Sequence, residues 1–164
     1  MGRKVSLDGE EYDFVVDCRG YPEDYSDYII SDNVYLDSAI AVRSYTPGDW
    51  EYTYHIAHKH GWMFGLPLQN RTAWGYLYNS KITSQLEAQD DVSKILKEYQ
   101  IEFHSRDCRE FSFKNYYAKS IVNEDGNIFL NGNRALFLEP IQATSLGCYG
   151  LINGIILDCI ENKH

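Results

Sequence analysis

Short runs of alternating apolar and polar residues, separated by turn pairs, dominate the first two thirds of the chain. Lys4 to Leu7 and Tyr12 to Val16 flank Asp8-Gly9, a strong hairpin signal because both turn positions tolerate positive φ. Phe14-Val15-Val16 is apolar without a break, which predicts a strand covered on both faces. Gly20-Tyr21-Pro22 ends it, an acidic, tyrosine-bearing loop fills Glu23 to Asn33, and Val34 to Ser44 reads as a strand. After the turn Thr46-Pro47-Gly48-Asp49, the partial alternation of Trp50 to His58 predicts another strand. Trp62 to Leu68 and Thr72 to Tyr78, joined by Gln69-Asn70-Arg71, give the clearest hairpin.

Helical spacing appears twice. Ser84 and Glu87 form a capping box for a helix reaching about Tyr99, with Leu86, Val92, Ile95, Leu96 and Tyr99 as its inner face. Phe103, Phe111 and Phe113 mark further strands, and Glu124-Asp125-Gly126-Asn127 turns the chain into a strand over 127–131. From Thr144 to about Ile160, Leu146, Tyr149, Leu151, Ile152, Ile155, Ile156 and Ile160 occupy most of a helix's circumference, which predicts a buried helix. No repeat or linker interrupts the pattern, so one continuous α+β unit is expected, mainly an antiparallel sheet with a buried C-terminal helix.

Composition narrows the functional classes. The 164 residues suffice for one domain with a core. Fifteen Lys+Arg against 24 Asp+Glu give a net charge of −9, which argues against nucleic acid or an anionic membrane as partner. Fourteen tyrosines and seven phenylalanines suit an aromatic-packed β body. No apolar run approaches a membrane span, and the basic N-terminus lacks a signal-peptide core. Cys18, Cys108, Cys148 and Cys159 show no paired spacing and read as reduced thiols, so a cytoplasmic location is expected.

Candidate chemistry concentrates in the segment Gly132 to Leu146, where a strand meets a glycine, a Pro140 turn and the start of the apolar helix. Helix N-termini leave backbone N–H groups free for anions or electron-rich cofactor edges, and a glycine lets a flat ligand approach the backbone. Phe137-Leu138-Glu139-Pro140-Ile141-Gln142-Ala143-Thr144-Ser145 resembles the F-L-E-P-L-E-S/T-T-G/S signature of flavin-dependent tryptophan halogenases. Gly61-Trp62-Met63-Phe64-Gly65-Leu66-Pro67 is similar to that family's G-W-x-W-x-I-P, and Gly75-Tyr76-Leu77-Tyr78-Asn79-Ser80-Lys81 follows it with family-like spacing. Asp13 to Tyr21 resembles the family's D-L-x-I-D-C strand and turn, and Leu36 to Val42 its L-x-x-D-R-A-L-A.

The resemblance implies a middle-to-late piece of an FAD-dependent aromatic-hydroxylase-like fold. Residues 1–35 would be the edge of the FAD domain, 36–120 the substrate sheet and helix, and 121–164 the flavin- and halide-binding strand-turn-helix. It implies FAD, reduced by a separate flavin reductase, and chloride or bromide, used to halogenate an aromatic small molecule. Gly132, Asn133 and Leu146 would meet the flavin, Thr144 and Ser145 the halide, and Gln142 the substrate. The chain departs from the family in having no GxGxxG fingerprint and no match to the catalytic lysine, so no catalytic residue is assigned. At the family glutamate stands Gln142, a neutral amide without a useful titration. The alternatives are a related flavin monooxygenase or reductase, and a remnant or split subunit that needs a separately encoded N-terminal half.

Three further features have blander readings. Trp62 lies in a family motif but equally suits sheet packing. His55, His58 and His60 invite a metal, yet no carboxylate or cysteine completes the set in sequence, and solvated sheet histidines are expected. Arg71 beside Asn70 reads as a hairpin charge, and Glu139 as structural.

Overall fold

A computed structural model describes residues 4–162, without the side chains of Ser105 and Gln142. The one continuous unit expected from sequence resolves into two compact ones, residues 1–34 with 114–164, and residues 35–113.

The contiguous unit is a five-stranded antiparallel sheet with one helix. Its strands are Ser38–Ser44 (β5), Tyr54–Ala57 (β6), Gly61–Leu68 (β7), Arg71–Tyr78 (β8) and Cys108–Ser112 (β9), in the order β6-β7-β8-β5-β9. The predicted hairpin is β7–β8, with Leu68 opposite Arg71, so Gln69-Asn70 alone make the turn. Helix α1, Gln85–Glu98, starts at Ser84, whose hydroxyl accepts from the Glu87 N–H while the Glu87 carboxylate accepts from the Ser84 N–H. The expected capping box is therefore complete. Ile40, Val42, Met63, Trp74, Tyr76 and Tyr78 from the sheet pack with Ala88, Val92, Ile95 and Leu96 of α1 to form the core.

Leu86, expected on the inner face, is 76% exposed, and Asp91 is buried instead. Asp91 accepts hydrogen bonds from the Tyr76 hydroxyl (2.7 Å) and the His60 N–H (2.9 Å), and His58 Nδ1 lies 3.0 Å from the same Oδ2. Burial raises its carboxyl pKa, but these donors and the nearby imidazole outweigh it and the net shift is downward. A sheet position, Tyr76, thus recruits a carboxylate into the helix's inner face where periodicity would place a leucine. His58 and His60 are accordingly half-buried, not solvated.

In the other unit, Val5–Leu7 (β1) and Glu10–Tyr12 (β2) form the Asp8-Gly9 hairpin. Val15–Asp17 (β3) pairs in parallel with Ile128–Leu130 (β11). Tyr116–Ala118 (β10) lies between Tyr28–Ile30 (β4) and Leu136–Phe137 (β12). β3 is not covered on both faces, because Val16 is 43% exposed. Helix α2, Thr144–Glu161, begins where sequence placed it. It is embedded along one stripe only, with Ile152 and Ile156 in a core with Phe129 and Ala135, while Leu146, Leu151, Ile155 and Leu157 are exposed. The buried helix expected from its composition is therefore half-buried, since one layer of strands covers only one side.

Candidate functional site

The site-bearing segment is built on the end of β11. Asn131, buried at the strand end, caps a 3-10 turn over Gly132–Arg134 by accepting the Gly132 N–H on its Oδ1 at 2.7 Å. Its amide donates to Asn153 Oδ1 (2.6 Å) and the Tyr149 carbonyl (3.3 Å) on α2. Gly132 has φ +59°, and among the described residues the only atom near an ideal Cβ is Cys18 Cβ at 4.0 Å. The protein thus leaves open space beside a backbone conformation that favours glycine.

Three tyrosine hydroxyls hold the same turn. Tyr116 donates to the Asn133 carbonyl, Tyr28 to the Arg134 carbonyl (2.8 Å), and Tyr149 to Asn133 Oδ1 (2.6 Å). Tyr116 is fully buried among Tyr25 and Tyr28, with ring centroids 5.1 and 5.4 Å away, and burial raises its pKa. Beneath the turn, Asp17 accepts from Arg19 at 3.0 and 2.8 Å and lies 3.3 Å from Arg134 Nε. The Arg19 hydrogen bonds hold the Asp17 carboxyl down at about 2, against the smaller effect of burial.

After β12 the chain makes a second 3-10 turn over Ile141–Ala143 and enters α2. The residue preceding the helix is Ala143 in the left-handed region (φ 53°, ψ 36°), and no described side chain caps the helix. Both hydroxyls of the first turn face backwards. Thr144 Oγ1 donates to the Ile141 carbonyl (2.9 Å), and Ser145 Oγ accepts the Leu138 N–H (3.0 Å) and donates to the Leu138 carbonyl (3.2 Å). An ordinary Ser/Thr cap is therefore not formed, and among the described side chains none is an acceptor for the positive end of this 18-residue helix.

Gly132, Asn133, Thr144, Ser145 and Leu146 consequently belong to one unit, tied together by Asn131, Tyr149 and Asn153. Leu146 is 69% exposed at the start of α2. The Gln142 side chain lies outside the described residues, although its backbone is part of the second 3-10 turn. Asn131, Tyr116, Tyr149 and Asn153 were not read as site residues from sequence, where Tyr149 counted only as part of the apolar helix; an asparagine ending an apolar strand was the available signal, whereas the tyrosines carried none. Among the described residues no group of three or more His, Cys, Asp or Glu is placed to hold a metal ion, and no helix is long and apolar enough to cross a membrane. All four cysteines are unpaired.

The sequence profile of the tryptophan halogenases matches residues 3–152, nearly the whole chain. The chain belongs to the tryptophan halogenase family. It is 28% identical over 152 residues to the tryptophan 7-halogenase KtzQ of Kutzneria sp. and 26% identical over 149 residues to the tryptophan 7-halogenase RebH of Lentzea aerocolonigenes. Each match takes in 82% of this chain but 26% of the relative, so the chain spans about a quarter of their length. Among solved structures, Xcc4156, a flavin-dependent halogenase from Xanthomonas campestris, superimposes with a TM-score of 0.71 at 24% identity, covering 92% of this chain and 30% of that one. BrvH, a flavin-dependent halogenase from Brevundimonas sp. BAL3, gives the same score and identity over 92% of this chain and 32% of that one. The mixed sheet-and-helix architecture is thus that of flavin-dependent halogenases, a family whose name implies FAD and halide.

Proposed function

We propose that this chain forms the isoalloxazine and halide side of a flavin-dependent halogenase site acting on an aromatic small molecule. The observation that carries the reading is the N-terminus of α2, which no described side chain caps, in one unit with the open, left-handed Gly132. The residues fit the cofactor: Gly132 leaves the backbone approachable by a flat ring, Asn133 is fixed by two tyrosine hydroxyls, and Leu146 offers an exposed apolar surface. Bound FAD, reduced by a separate reductase, would supply the oxidising chemistry.

The chain's own residues position and shield. The start of α2, at Thr144 and Ser145, attracts a chloride or bromide through the helix dipole, an effect of about 0.3–1 kcal/mol, with the Thr144 N–H itself donated to the Ile141 carbonyl. Ser145 fixes the approach of the preceding loop to that helix end. Gln142 can hydrogen-bond a substrate but neither takes up nor releases a proton at neutral pH. That neutral amide at the family's glutamate position favours one second reading, a related flavin monooxygenase that does not use halide.

The deciding experiment is titration of the chain with oxidised and reduced FAD, followed by flavin absorbance and fluorescence, with and without chloride. Saturable binding that tightens with chloride is expected. Binding indifferent to halide supports the monooxygenase reading, and no binding to a folded chain refutes both.

A further inference from the structure

The face of the five-stranded sheet turned away from α1 carries a second, unassigned hollow. Along its central strands the side chains are reduced almost to nothing: register sets Phe64, Gly75, Ala41 and Arg109 in one row across β7, β8, β5 and β9, with Leu66, Ala73 and Arg43 in the next. Phe64 lies over Gly75, where a Cβ would come within 2.3 Å of its ring, so the ring occupies the space that glycine vacates. The resulting groove, of about 290 Å³, has a floor of Ala41 and Ala73, an aromatic wall at Phe64, and a rim of Arg43, Arg71, Arg106 and Arg109.

The charge is at odds with the rest of the molecule. The chain's net charge is −9, yet four of the six arginines among the described residues line this one groove. None of the four forms an ion pair among the described residues; the one polar contact shown for them is Arg71 to its neighbour Asn70 at 3.3 Å. The single carboxylate in the lining, Asp107, accepts from the Tyr45 hydroxyl (2.9 Å) on one oxygen, while its other oxygen is buried without a partner among the described residues. One carboxylate against four guanidiniums leaves an excess of three positive charges. Guanidinium forks match carboxylate and phosphate oxygens, and a small-residue floor beside a phenyl ring accepts a flat body.

We propose that this groove binds a flat aromatic anion, its ring against Phe64 over Ala41 and Ala73 and its carboxylate or phosphate on Arg43 and Arg109. None of the flavin-site residues takes part, so the proposal stands or falls apart from the FAD titration. The test follows Trp62, whose ring centroid is 6.0 Å from that of Phe64, by fluorescence of the full chain. The probes are 1-naphthyl phosphate, 1-naphthoate, 1-naphthol and inorganic phosphate, with calorimetry for stoichiometry. One-to-one binding of an aryl anion is expected, and its preference between phosphate and carboxylate identifies the head group. Arg43→Gln and Arg109→Gln, both at exposed positions, should each weaken it about tenfold or more. Ala41→Leu, which fills the floor, should abolish aryl binding while the arginines remain, with circular dichroism confirming the fold. Naphthol binding as tightly as the anions, or arginine variants binding like the parent, overturns the proposal. Inorganic phosphate binding as well as naphthyl phosphate overturns the assignment of a ring subsite.

Discussion

Gly132→Ala separates the needs of the fold from those of a bound flavin. At φ +59° an added Cβ incurs a left-handed penalty of about 1–2 kcal/mol. Among the described residues it meets no atom closer than Cys18 Cβ at 4.0 Å, so no clash adds to that cost. The alanine also narrows the unfolded ensemble, which returns about 0.4–1 kcal/mol. The net destabilisation is about 1 kcal/mol, equivalent to a fall in Tm of about 2–4 °C for a chain of this size. A flavin ring lying on that backbone would meet the methyl group directly, so FAD affinity should fall by about tenfold or more, roughly 1.4 kcal/mol. Thermal melting and flavin fluorescence titration on one preparation read both quantities. A folded variant that melts within a few degrees of the parent and binds FAD equally well would remove Gly132 from the site. Loss of folding would show that the open space beside the glycine is misread.

Other perturbations test the supports of the two units. Tyr149→Phe removes the donor to Asn133 Oδ1 and should cost about 1 kcal/mol in chemical denaturation, and it should weaken FAD binding if the clamp serves the flavin; unchanged stability would discard the clamp. Asp91→Ala strands the buried Tyr76 hydroxyl and the His60 N–H and should destabilise by about 3 kcal/mol, whereas Asp91→Asn, which keeps an acceptor, should cost clearly less. Asp17 has a depressed folded pKa of about 2, so its stabilisation is present above the unfolded value near 4 and is lost as pH falls through about 2. Acid unfolding curves for Asp17→Asn should therefore lose part of their slope between about pH 4 and 2; a parallel curve would refute the ion-pair reading. Gly61→Ala puts a Cβ 2.0 Å from the Leu77 carbonyl oxygen and should destabilise by about 3 kcal/mol or prevent folding, and a near-native melting temperature would contradict the β7–β8 register.

The elements legible from the chain alone are those whose causes are local. The capping box at Ser84 and Glu87, the Asp8-Gly9 hairpin, the β7–β8 alternation and the start of α2 at Thr144 each depend on residues within a few positions. The family motifs were legible for the same reason, being short contiguous strings. What the tertiary structure decided depends on partners far apart in sequence. Leu86 faces outward and Asp91 inward because Tyr76, fifteen residues earlier, offers a hydroxyl. Val16 is exposed because β3 pairs with β11, more than a hundred residues later, and remains open on one side. α2 is apolar around its girth yet embedded on one stripe, since periodicity reports what a helix can bury and the number of neighbouring layers sets what it does bury. Neither the tyrosine clamp on Asn133 nor the arginine rim has a sequence signature, because each gathers side chains from separate segments through strand register and packing.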